Sequence, residues 1–445
     1  MLGEAALRRL AEQALAASRA DQTEVLLSVT HSALTRFANN AIHQNVAESD
    51  SSLTVRAALG QRVGVASGNQ VTPETASQLV ERAIEIARLQ VENPDVPGLP
   101  APRPATRVDG YFAATAECPP RARAEAVGLI CRRAAEAGLQ AFGALSTESA
   151  ELAVATSLGQ FCYHPSTTAE LNVVAMSDTS SGYADRLSAD LGQIDAEAAA
   201  AEAVDKALRG RNPRELPPGD YEVVLEEYAV SDIVDFLAYL GFSALAVQEQ
   251  RSFLTGKLGQ RVMSPEISIW DDGTDPAGLP MPFDFEGVPK VRLDLIEQGM
   301  ARALCYDSQT AAREGRPSTG HALPPGQTFG PVPLNLFMAS GKTSRHELAR
   351  GIERGVWVTR FWYTRHVHPL SLVVTGMTRD GTFLIEQGEV GPPVRNLRFT
   401  QSYLAALNDV RAVANETRLE RSLFSANRVP ALRLGSFTFT GATEA

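Results

Sequence analysis

The side chains best suited to catalysis or metal binding are few, and the imidazoles are the scarcest: seven in all. His31, His43 and His164 are scattered through the first half on strand-like or loop positions, and read as ordinary histidines rather than ligands. His321 sits in a Pro/Gly-rich loop with no acidic neighbour in sequence. His346 and Glu347 open the string H-E-L-A-R-G, which begins like a zincin helix. A zincin needs its second histidine four residues on, one turn up the same helix face, and Arg350 stands there instead. His366 and His368 flank Val367 in a strand-like run, so a period of two would place both rings on one face. Such a pair can bind a metal; the plainer alternative is two polar residues on an exposed strand face before Pro369.

Other motifs are sparse. G-x-S-x-G, Walker A and G-x-G-x-x-G are all absent, so nucleophile-elbow and nucleotide readings have no anchor. The run Trp357–Tyr363, edged by Arg360 and Arg365, is suited to stacking bases or to clamping a peptide or a partner subunit. Strict alternation puts Trp357 and Phe361 on one face with Thr359 and Tyr363, and Arg360 on the other. The alternative is a central strand with one buried face. Gly241–Gly259 predicts a helix end, a loop and a strand, with Lys257 between two glycines either a ligand group or, more commonly, a solvated turn lysine.

The elements that must hold these groups change character along the chain. An Ala-rich amphipathic helix over 3–19 precedes strand signals at Glu24–Thr30, Ala41–Val46, Leu53–Leu59 and Arg62–Ala66, with Gly60 and Gly64 punctuating the last hairpin. Thr72 and Pro73 then open a helix to about Gln90. A stiff Pro-rich connector covers 93–107. A helix from Arg121 to Ala137 follows, then strands near Leu145–Thr147, Ala150–Thr156, Phe161–Thr168 and Glu170–Met176, and an Ala-rich helix from Asp195 to Leu208. RNPRELPPG at 211–219 continues neither helix nor strand and marks a boundary. Beyond it come a strand at Tyr221–Leu225, a helical stretch at Ser231–Val247, and mostly β signals with Pro/Gly-rich connections. The expected fold is α+β: an N-terminal domain over 1–212, with helices on one face of an antiparallel sheet, then a mostly β domain over 213–445. No internal repeat shows at the solenoid periods.

A chain of 445 residues is long enough for two to three domains. With 41 Lys+Arg against 52 Asp+Glu, the net charge of −11 argues against a general nucleic-acid or anionic-membrane surface. The four cysteines form no C-x-x-C pair, and the first eighteen residues lack the apolar core of a signal peptide, so a cytoplasmic location is expected.

Four stretches resemble one family, the TldD/PmbA (TldE) proteins. They are RAALGQRVGVASGNQVTPETASQLVERAIEIAR at 56–88, LPPGDYEVVLEE at 216–227, RSFLTGKLGQRVMSPEISIWDD at 251–272 and VTGMTRDGTFLIEQGEVGPPVRNLRF at 374–399. The resemblance implies two domains and, in the family's active branch, a zinc metallopeptidase with H-E-x-x-x-H on the helix before the R-S-F-L-T-G-like turn and a C-terminal Cys ligand. Five residues rotate an ideal helix by about 500°, so that helix must bulge or end for both histidines to reach one ion. Aligned on the shared turn, the motif's histidines fall on Asp235 and Leu240, its glutamate on Phe236 and its glycine on Tyr239, and no cysteine follows Cys305. The resemblance therefore implies the non-catalytic TldE/PmbA-like branch: no catalytic residue and no metal in this chain, with zinc in a catalytic TldD-like partner. That partnership would be a heterodimer, or a homodimer in its place, acting on unfolded or extended peptide, with neither nucleic acid nor membrane as partner. Two rivals stand beside it. One is a stand-alone hydrolase whose metal site has moved to His321, His346, His366 and His368; the other is a non-enzymatic protein of the kind the family's older label, modulator of DNA gyrase, suggests.

Overall fold

The computed structural model describes residues 1–443. Helix α1 (Glu4–Ala17) buries a stripe of Leu7, Leu10, Ala11 and Ala14. Strands β1 (Gln22–Ala38), β2 (Ala41–Leu59) and β3 (Arg62–Gly68) form an antiparallel meander. Helix α2 (Pro73–Leu89) starts where expected: the Thr72 side chain accepts the Thr75 N–H, and Pro73 takes the first helical position. After the short α3 (Ala113–Ala116), the same order recurs as α4 (Pro120–Glu136), β4 (Gln140–Thr156), β5 (Phe161–Met176), β6 (Ser181–Ser188) and α5 (Ala196–Arg209).

The two α-β-β-β-α units meet along the antiparallel β1–β4 pair, giving one six-stranded sheet ordered β3-β2-β1-β4-β5-β6. Each unit has a glycine at the equivalent close approach of its last strand to its last helix. A Cβ on Gly64 would collide with the Ala83 carbonyl, and one on Gly182 with the Ala203 carbonyl. Gly64 therefore serves helix packing inside β3, and only Gly60, at φ 57°, serves the turn. This duplication has a period well outside the solenoid range and leaves little trace in residue identity.

All four long helices cover one face of the sheet, as expected. Odd-numbered positions such as Val25, Leu27, Leu145 and Ala153 point at them. The other face carries Leu26, Val154 and Cys162 against Phe283 of the second half. The expected breaks inside β2, β4 and β5 do not exist. Polar Asn45–Ser52 keeps its ladder with Ser28–Thr35, because backbone pairing needs no apolar alternation. Strand β6 went unpredicted because Gly182, Asp185 and Arg186 interrupt its β pattern.

After α5, the chain re-enters a sheet at β7 (Gly219–Leu225), then forms α6 (Glu227–Leu240) and α7 (Ala244–Gln248). Strands β8 (Ile269–Asp271), β9 (Leu293–Glu297) and β10 (Met300–Ala301), helix α8 (Ser308–Arg313) and β11 (Asn335–Met338) follow. The long strands are β12 (Arg354–His368) and β13 (Val373–Glu386), then β14 (Glu389–Pro393), β15 (Leu397–Ser402), α9 (Tyr403–Asn408), β16 (Val410–Arg421) and β17 (Ala426–Ala442). These eleven strands make one sheet in which β7 pairs with both β12 and β17, closing the ring β7-β12-β13-β15-β17. Phe361, Phe399, Phe437 and Tyr403 stack inside its core, with centroids 4.6–6.4 Å apart.

Several expectations fail here. Ser231–Val247 is two helices separated at Gly241, and the strand expected near Gly259 is a series of turns over 252–260. The signals at Leu370–Met377 and Thr382–Glu386 belong to a single β13, with Pro369–Ser371 a 3₁₀ turn ahead of it. Strand β16 escaped notice because its polar run Asn415–Arg418 hides the alternation.

Candidate functional site

Helix α6 carries Asp235, Phe236 and Leu240, the positions on which the resemblance implies the motif would fall. It stops at Leu240, where the Gly241 N–H closes on Leu237 O and Ser252 Oγ donates to Gly241 O (2.8 Å). A Cβ on Gly241 would overlap the Phe253 ring, so glycine is needed for the R-S-F-L-T-G turn to clamp the helix end. Leu240 is 7 % exposed within the main core. Phe236 packs edge-on against Tyr403, centroids 5.8 Å apart. Truncating Leu240 to Ala is expected to cost about 2–3 kcal/mol in chemical denaturation; a loss below about 0.5 kcal/mol would show that the position is not packed.

Asp235 is held in place. Asn427 Nδ2 donates to its Oδ1 (2.8 Å) and the Leu423 N–H to its Oδ2 (3.1 Å). One turn back, Asp232 accepts from Thr364 Oγ1 (2.7 Å) and Tyr403 OH (2.8 Å). Burial pushes Asp235 up to about 7 against the hold of Asn427, with nearby Asp232 adding to the rise. Burial likewise lifts Asp232 to about 6, against the hydrogen bonds of Thr364 and Tyr403. Between its ordinary value of 3.8 and about 7, the folded protein keeps a proton on Asp235 that the unfolded chain has released, so stability falls as pH rises through that window. Asp235→Asn should accordingly gain about 2–3 kcal/mol relative to wild type on going from pH 5 to pH 8, read by urea denaturation. A variant with the same stability difference at both pH values would contradict this assignment.

The other sequence-predicted residues lie in several places. Trp357 and Phe361 are buried, and they do not share a face: Trp357 Nε1 donates to Glu226 Oε1 (2.7 Å), whereas Phe361 joins the aromatic core. The alternation breaks at the register irregularity between Val358 and Arg360. Arg360 is tied to Asp380 (Nε to Oδ2, 2.6 Å) and lies over the rings of Tyr183 and Trp362. Of the four proposed contact residues only Tyr363 is open, 63 % exposed at φ 56°. His366 lies beside the Tyr239 ring (5.8 Å), and His368 Nδ1 is 2.8 Å from Ser371 Oγ. A further irregularity separates the two histidines in the β12–β13 ladder.

His321 has an acidic partner that its sequence context did not suggest. Its Nε2 is 3.1 Å from Asp271 Oδ1, which also lies 3.3 Å from Lys290 Nζ, all three fully buried. Asn335 N–H donates to Asp271 Oδ2 (2.7 Å). Against burial, Lys290 and His321 hold the Asp271 carboxyl well below the usual carboxylate range, so this cluster is closed and fully paired.

A further buried polar constellation has no counterpart among the residues singled out from the sequence. Glu226, 2 % exposed, lies between β7 and α6 and gathers Lys206 Nζ from α5 (2.7 Å) and Arg345 Nη2 (2.8 Å) on one oxygen, with Trp357 on the other. Glu202 on α5 accepts Lys206 (2.8 Å), Arg186 (2.8 Å) and Arg418 (3.2 Å). Glu202, Lys206, Glu226, Arg345 and Trp357 line a cleft of about 600 Å³ between the two halves, with His346 also in its wall. The available signal was Glu226-Glu227 directly after the apolar Val223–Leu225, since a carboxylate pair at the end of a buried strand needs cations.

These donors do not fit a hydrolytic zinc ion. Such a site needs about three protein ligands and an open position, whereas Leu240 offers no donor and Asp235 is committed to Asn427 and Leu423. Among the described residues, no group of three or more His, Cys, Asp or Glu side chains is placed to hold a metal. No helix among them is long and apolar enough to cross a membrane.

Comparison with known proteins gives matches along most of the chain. Residues 218–441 match the PmbA/TldA metallopeptidase C-terminal domain, residues 23–87 its domain 1 and residues 115–211 its central domain. The fold is similar to that of TldE from Thermococcus kodakarensis, with a TM-score of 0.89 at 20 % identity over 98 % of this chain and 100 % of that one. An uncharacterized protein of Methanocaldococcus jannaschii is 35 % identical over 132 residues, 29 % of this chain and 31 % of its own. A metalloprotease TldD homolog of Haemophilus influenzae is 26 % identical over 236 residues, 52 % and 48 % respectively. The chain thus spans a half or less of the length of these two curated relatives.

Proposed function

The chain belongs to the PmbA/TldA metallopeptidase family, and from that footing we propose that it is a metal-free, non-catalytic subunit that contributes to peptide cleavage only beside a catalytic chain. One observation carries this reading: the helix end where the family motif would stand is filled by Leu240, Phe236 and a hydrogen-bonded Asp235. A hydrolytic zinc site would require donors and a general base there, and neither the apolar Leu240 nor the aromatic Phe236 supplies one. The substrate proposed is unfolded or extended peptide. Exposed strand segments, chiefly the end of β12 with Trp362 and Tyr363, are the proposed surface for peptide or subunit contact.

What this chain's own residues do is structural. Glu226, Lys206 and Arg345 fix α5 of the first half against β7, α6 and β12 of the second, and so set the shape of the cleft between them. The acidic surface, net −11, supports a role without nucleic acid.

Metal content tests the proposal. The purified chain, equilibrated with zinc and desalted, should retain well under one zinc per chain. One tightly held zinc, lost on replacing His366 and His368 by Ala, would instead support the relocated-site hydrolase.

A further inference from the structure

We propose that the cavity at the seam between β6 of the first half and β16–β17 of the second is an oxyanion-binding site, recognised by Arg428. The cavity holds about 450 Å³ and is walled by Arg186, Ser188 and Gln193 on one side and by Gly278, Thr417 and Arg428 on the other. Arg428 Nε donates to Ala277 O (2.7 Å) and Nη1 to Thr417 Oγ1 (3.3 Å). Those bonds fix the plane of the guanidinium and leave Nη2 without an acceptor among the described residues. None of their carboxylates lies within ion-pair distance of it.

A partly buried arginine stays charged, and with no carboxylate beside it the remaining Nη2 edge is left open to solvent or to a ligand. Burial lowers its affinity for the proton, and Asp275 is the charge that opposes this. Asp275 itself is occupied, its Oδ1 accepting the Ala277 N–H (2.8 Å). The contrast within the cavity is direct, because Arg186 and Arg418 are both ion-paired with Glu202, and Arg418 lies 4.0 Å from Glu420 as well. Asp109 and Asp190 also line the space, and Asp190 Oδ1 accepts the Gly192 N–H (2.9 Å). Two wall carboxylates repel a polyanion, so the chemistry fits one compact oxyanion: a carboxylate, or a single phosphate, meeting the free edge of a planar donor. On the peptide-handling reading above, on which this last assignment rests, the ligand is a peptide carboxylate.

The experiment titrates the full chain with inorganic phosphate, and with one short unstructured peptide as free acid and as C-terminal amide. Arg428→Gln removes the recognising group, and Gln193→Glu adds a carboxylate to the wall while leaving the bonds of Arg428 intact. We expect phosphate and the free acid to bind wild type, the amide to bind about tenfold more weakly, and both variants to lose about tenfold for the anions. Ligand-free Gln193→Glu should melt as wild type does. Phosphate binding lost in both variants, with acid and amide equally weak, would support the anion site and remove peptide as its source. Failure of both anions to bind wild type, or binding unchanged in both variants, would overturn the proposal.

Discussion

Replacing Glu226 by Ala should destabilise the protein by about 3–5 kcal/mol, the largest single-residue effect we expect outside the apolar core. Lys206 and Arg345 would lose the oxygen they share, and Trp357 would lose the acceptor for its indole N–H. Lys206 keeps Glu202, at 2.8 Å, and Arg345 keeps Glu227, at 3.1 Å, so the network would be weakened rather than abolished. With that carboxylate gone, two largely buried cations face each other with less compensating charge and the indole N–H loses its acceptor, which costs more than the lost attraction alone. Glu226→Gln should cost less, since it retains an acceptor for the indole.

The pH dependence follows from the same contacts. Although burial alone would raise it, Lys206 and Arg345 hold the Glu226 carboxyl below its ordinary value of 4.5. A depressed folded-state value stabilises the protein above the unfolded value, and that contribution is lost as pH falls through the folded one. The wild-type advantage over Glu226→Ala should therefore be full at pH 7 and shrink in the acid region below about 4.5. A difference of less than about 1 kcal/mol at pH 7 by denaturant unfolding would contradict the role given to Glu226.

Much of this architecture could be read from the sequence because it rests on local signals. Thr72-Pro73 and the apolar stripe of α2 depend on neighbours within one or two turns, and the helix forms where they place it. Periodicity also put all the long helices on one face of the first sheet. The failures have physical causes of their own. Asn45–Ser52 lacks alternation yet stays in β2, because the ladder with β1 runs on through it by backbone pairing alone. Trp357 and Phe361 part company because an irregular register, set by tertiary pairing with β13, turns the strand between them.

The candidate sites divide the same way. Asp235, Phe236 and Leu240 could be singled out only through the family resemblance, since one acidic and two apolar residues on a helix announce nothing. The structure adds that Asp235 meets Asn427, 192 residues away in sequence. Glu226 and Lys206 are only 20 residues apart, but their meeting depends on how the two sheets pack. His321 looked solitary because Asp271 lies 50 residues upstream. Pairings of this kind are made by the fold and have no periodic signature.

The most direct test of the subunit assignment uses two chains. This protein is produced alone, and also with an H-E-x-x-x-H member of the same family from the same genome, and both preparations are assayed on unstructured peptides. A chain with Asp235, Phe236 and Leu240 at the motif positions offers there at most one carboxylate, already hydrogen-bonded to Asn427, too few donors for a hydrolytic zinc site. Activity should therefore be at background for the single chain. In the pair it should appear with a stable complex, one expected to bury roughly 2,000 Å² or more, and chelation should abolish it. Glu226→Ala in this chain should weaken the paired activity at temperatures where the variant unfolds, while leaving the catalytic chain's zinc content unchanged. Cleavage by the single chain, abolished by a chelator and restored by zinc, would contradict the assignment outright.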